Sequence, residues 1–116
     1  MNIGFIGVAG ALALAAIGSA IGMGTAGMAA IGGWKKCFAQ NKPAPFVMVI
    51  FAGAPLTQTI YGFILMNRLL AAVGTMDPAL LLGAGVLGGT AMVFSALFQG
   101  KAGASGSDAM ADTGKG

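Results

Sequence analysis

Histidine and glutamate are both absent from this chain of 116 residues, and aspartate occurs only as Asp77, Asp108 and Asp112. Cys37 is the single thiol, which rules out a disulfide framework or a zinc site within one chain. Without histidine or glutamate, no nucleophile–base pairing suggests an enzyme, so the chain by itself reads as non-catalytic. Charge is scarce too. Only 8% of residues are charged, against about 25% in an ordinary soluble domain. The net charge of +3 comes from six scattered bases. No basic run interleaves with aromatics, so nucleic acid is not an expected partner. Four prolines beside 21 glycines fit neither a disordered chain nor collagen.

What remains is apolar: 57% of the chain is hydrophobic. The composition predicts an all-α membrane protein of several passes in the cell membrane, with the lipid bilayer as its main surroundings. The first uncharged run extends from Met1 to Trp34. No base precedes it and it far exceeds the roughly 7–15 residues of a signal-peptide core, so it reads as a spanning helix. Small residues recur along it every four positions, as Gly7, Ala11, Ala15, Ser19 and as Gly18, Gly22, Ala26, Ala30. Such ladders let helix backbones meet closely. Two of them on one helix predict neighbours on both sides, hence a packed bundle or ring.

Residues 35–45 carry three lysines together with Cys37 and read as a short loop, with Trp34 and Phe38 at the interface. The positive-inside rule places loop 35–45 in the cytoplasm and the N-terminus outside. A second span is predicted from Phe46 to about Asn67, then an outer turn from Arg68 to Asp77. A third uncharged run begins at Pro78 and reaches Gly100.

The second span carries unusual cargo in Ala54-Pro55-Leu56-Thr57-Gln58-Thr59-Ile60-Tyr61-Gly62-Phe63. On a helix, Ala54, Thr57, Gln58 and Tyr61 share one face. Pro55 lacks an N–H and so releases the carbonyl of Phe51 one turn earlier. Oxygens gathered at membrane depth suit a hard cation. They equally suit hydrogen bonds to a packed helix, at about 0.6–2 kcal/mol each.

An internal repeat sets the domain plan. Ser19-Ala-Ile-Gly-Met-Gly-Thr-Ala-Gly27 aligns with Ser95-Ala-Leu-Phe-Gln-Gly-Lys-Ala-Gly103 at an offset of 76, with five of nine residues identical. The repeat predicts that the third helix continues to about residue 109. Residues 1–73 then form one hairpin, and 78–116 supply the first helix of a second. Three helices are present and four are expected, with the counterpart of Gln58 near position 134.

Through Leu56-Thr-Gln-Thr-Ile-Tyr-Gly-Phe63 and Phe94-Ser-Ala-Leu-Phe-Gln-Gly-Lys101, the chain resembles the proteolipid subunit of V-type and archaeal-type rotary ATPases, also called subunit K. The resemblance extends over essentially the whole chain. It implies a subunit that assembles with copies of itself into a membrane ring and carries Na+ or H+ past a stator subunit, coupled to central-stalk subunits. It further implies Na+ ligands at Thr57, Gln58, Gln99 and the Ala54 backbone carbonyl, with Tyr61 orienting a carboxylate. This amide-rich set favours Na+ over H+, and no organic cofactor is implied. The family's essential carboxylate sits on a fourth helix. No acid here matches it, since Asp77 falls in the outer turn and Asp108 and Asp112 lie beyond Lys101. A small self-assembling structural or pore-forming membrane protein is the competing expectation. It accounts for the small-residue ladders but not for the Thr57–Gln58–Tyr61 stripe.

Overall fold

A computed structural model describes residues 2–114. The helices, in chain order, are α1 (Gly4–Ala39), α2 (Met48–Gly53), α3 (Thr57–Ala72) and α4 (Pro78–Thr113), with a 3-10 turn, Ala54–Leu56, joining α2 to α3. Three helical stretches, Gly4–Ala39, Met48–Ala72 and Pro78–Thr113, are long and apolar enough to cross a membrane. The fold is thus an all-helical bundle built for several passes. Its extents are 61 × 18 × 16 Å.

Local chemistry sets the helix ends. Asp77 caps α4 by accepting from the Ala79 N–H at 2.9 Å, and Pro78 takes the first-turn position where a missing N–H costs nothing. Asn41 adopts a left-handed backbone with φ of 57°. The Lys42 N–H then folds back on the Cys37 carbonyl at 2.8 Å and closes α1. Trp34 ties down the following loop by donating its Nε1–H to the Pro45 carbonyl at 2.8 Å.

These ends correct three sequence expectations. Lys35, Lys36, Cys37 and Phe38 are helical, so the loop is 40–47 rather than 35–45. The basic residues add a last turn to α1, because Asn41 and Pro43, not the lysines, are the helix breakers. The middle span reaches Ala72 instead of Asn67, which puts Arg68 inside α3 and shortens the outer turn to 73–77. Finally, α4 runs to Thr113, past the expected 109. Lys115 and Gly116, also assigned to the second hairpin, lie outside the described residues.

Cys37 is only 2% exposed and packs in a cluster with Ala30, Met48 and Ala111. Its burial changes what a thiol reagent reports. In a Cys37→Ala background, Phe38→Cys should react about tenfold faster or more than native Cys37, since Phe38 is 66% exposed. With a membrane-impermeant maleimide, reaction from the cytoplasmic side alone is the expected result. Reaction from outside reverses the orientation.

The helices α1 and α4 lie side by side and parallel. A side-chain carbon added to Gly4 would meet Leu81, one on Gly22 would meet Ala96, and one on Gly33 would meet Ala111. The partners are separated by close to the 76-residue repeat throughout, so the two related helices pack against each other in register. Both small-residue ladders of α1 are buried. Ala11 and Ala15 receive Gly62 of α3, while Gly7, Gly18 and Gly22 meet α4. The opposite faces carry large apolar residues outward, among them Ile17, Met28, Phe63, Leu87 and Phe94. In a bilayer that outer surface is solvated by lipid. At one end of the rod, Lys36 of α1 pairs with Asp112 of α4, both nearly half exposed.

Candidate functional site

Pro55 interrupts the middle span, and the interruption builds the site. With no N–H on Pro55, the Phe51 carbonyl loses its helical donor, and the chain tightens into the 3-10 turn Ala54–Leu56. In hydrocarbon, each carbonyl at such a break must find another partner. The Ser19 hydroxyl of α1 donates to the Pro55 carbonyl at 2.7 Å, in a buried position. The Phe51 carbonyl lies against the backbone of Gly103 on α4, close enough that a Cβ there would collide with it. Thr57 donates its hydroxyl to the Ala54 carbonyl at 3.0 Å.

Beside the break opens a groove of about 400 Å³, lined by Phe51, Ala54, Gln99, Ala102, Gly103 and Gly106. Glycines at 103 and 106 leave the space, and the Phe51 ring fills part of it, 3.3 Å from where a Cβ on Gly106 would stand. The Gln99 Oε1 is buried and has no hydrogen-bond partner among the described residues. A buried amide oxygen left unpaired costs about 1–3 kcal/mol, so this atom is an acceptor awaiting a donor or a cation.

The structure thus brings Ala54 and Gln99 into one groove, with Thr57 one hydrogen bond away. Gln58 is buried at 8% exposure, whereas Thr57 and Tyr61 are exposed, Tyr61 by 56%. The edge of the bundle therefore runs through the stripe that helical spacing placed on one face. The tighter winding of the 3-10 turn contributes to this, because it rotates Ala54 relative to the α-helical residues after it. Among the described residues, no three His, Cys, Asp or Glu side chains gather. A cation held at this groove would be held by carbonyl, hydroxyl and amide oxygens.

Sequence reasoning passed over Ser19, which served only as a rung of a small-residue ladder. Spacing gave no signal for it, since Ser19 lies 20 residues before the end of α1 at Ala39 and Pro55 only seven after the start of α2 at Met48. No protein-family model matches the chain, and no curated protein or solved structure is significantly similar to it.

Proposed function

We propose that this chain is a rotor-ring subunit of a V-type rotary ATPase, non-catalytic in itself, that carries Na+ across the membrane as the ring turns. One observation carries the reading. At the proline break, Ala54 and Gln99, whose side-chain oxygen has no partner among the described residues, line a single groove within a span long and apolar enough to cross a membrane. Carbonyl, amide and hydroxyl oxygens are the ligands a hard monovalent cation takes, and the same set gives little reason for a bare proton. A charge in the hydrocarbon layer is tolerated only when it is compensated. On this reading, therefore, a carboxylate from outside these 116 residues neutralises the ion while it faces lipid.

Copies of the chain form the ring. The end bearing Lys35, Lys36 and loop 40–47 faces the cytoplasm and the central stalk, and the outer face meets the stator. Extraction from the native membrane in mild detergent tests the assembly. A high-mass oligomer fractionating with Na+-stimulated ATP hydrolysis is the expected outcome. Elution as a small oligomer without hydrolysis overturns it and leaves the pore-forming or structural reading.

A further inference from the structure

We infer that Ser19 is a positioning residue for this groove, its hydroxyl holding the Pro55 carbonyl and so fixing the turn that presents the Ala54 carbonyl. The inference rests on the cation reading of the groove and extends it to a helix that contributes no ligand.

Three carbonyls compete for direction at the break, and each has a different partner. That of Phe51 is covered by Gly103 of α4, and that of Ala54 accepts from Thr57 within its own turn. Only the Pro55 carbonyl is held by a side chain from another helix, across 36 residues of sequence. Ser19 is 2% exposed and Pro55 is fully buried, so no water competes for that bond. Close packing reinforces it. A Cβ on Gly22, one turn after Ser19, would stand 3.0 Å from the Pro55 ring. Gly22 thus lets α1 approach near enough for the short serine side chain to reach.

Once the Ser19 hydroxyl is removed, the Pro55 carbonyl, already approached by the Thr57 N–H, is left to the backbone, whose α-helical donor is the N–H four residues on, at Thr59. Taking it converts the 3-10 turn toward regular α-helix. That unwinding turns Ala54 relative to Gln99 across the groove they both line. Ser19 accordingly acts on the cation through backbone direction.

The test uses the assembled protein transferred from its native membrane into lipid nanodiscs, so that the carboxylate the cation reading requires is present. Pro55-Leu56 is the only Pro–Leu pair and Gln99-Gly100 the only Gln–Gly pair in the sequence. Paired carbon-13 carbonyl and nitrogen-15 labelling therefore gives one resonance for each. In Ser19→Ala, the Pro55 carbonyl resonance should move. The Na+ titration read at Gln99-Gly100 should weaken about fivefold, the equivalent of one lost hydrogen bond. The Na+/Li+ preference should change as well, and Ser19→Thr, which keeps the hydroxyl, should restore both. A Pro55 carbonyl that stays in place overturns the inference, with the wild-type Na+ response intact. So does a variant that melts earlier but keeps the wild-type Na+/Li+ ratio. A wild-type chain whose Gln99 resonance ignores Na+ removes the cation reading itself, and the inference falls with it.

Discussion

Gly100→Ala, a change of one methyl group, should destabilise the bundle by about 1–3 kcal/mol or more. The reason is what the methyl meets. A Cβ at Gly100 would run into the backbone of Gly22, and one at Gly85 into the backbone of Gly7. An obstructing side chain can rotate aside, but a helical backbone cannot. The two axes must separate, and with them every contact along the α1–α4 seam. In a bilayer this loss is not softened, because helix association there depends on packing and not on apolar burial. Gly27→Ala provides the contrast, since nothing lies within 4 Å of a Cβ at that position. It should be neutral or stabilising by up to about 1 kcal/mol, the helix-propensity gain of alanine over glycine. Thermal unfolding of both variants in nanodiscs makes the comparison. Equal midpoints for Gly100→Ala and Gly27→Ala would mean the seam is looser than described.

The second large effect separates stability from function. Gln99→Met should raise the unfolding midpoint and lower Na+ affinity at least about tenfold, near 1.4 kcal/mol. Gln99 presents a buried oxygen with no partner among the described residues, and methionine fills similar volume without that penalty. Stability and binding therefore move in opposite directions. Combining Gln58→Ala with Gln99→Ala should weaken Na+ binding by the assembled protein, carboxylate included, at least about tenfold as well. An unchanged dissociation constant in either variant would reduce these amides to hydrogen-bonding groups between helices.

Much of the architecture was legible in the residues. The three apolar runs gave the spans, Asp77-Pro78 marked the start of α4, and the repeat predicted a third helix well past Lys101. The inner loop was less legible. Lysines suggested a loop at 35–45, yet lysine is a good helix former, and the true stop signals were Asn41 and Pro43. For the site, helical spacing picked out Ala54, Thr57, Gln58 and Tyr61, and the family resemblance implied Gln99, but neither could say which would meet. That depends on the local overwinding at Pro55 and on how closely α4 approaches. Close approach in turn depends on Gly103, one glycine among 21.

The seam between α1 and α4 has a thermodynamic consequence. Its buried members are largely glycine and alanine, such as Gly7, Gly18, Gly22, Ala26, Gly85, Ala96 and Gly100, and residues of these two types have no rotamers to lose on burial. The long side chains of Ile17, Met28, Leu87 and Phe94 point outward and keep their freedom among lipid tails. Assembly of the seam therefore forfeits almost no side-chain entropy, and its stability is drawn from dispersion and from backbone C–H groups facing carbonyl oxygens. Calorimetry should show the association of these helices as an enthalpic process.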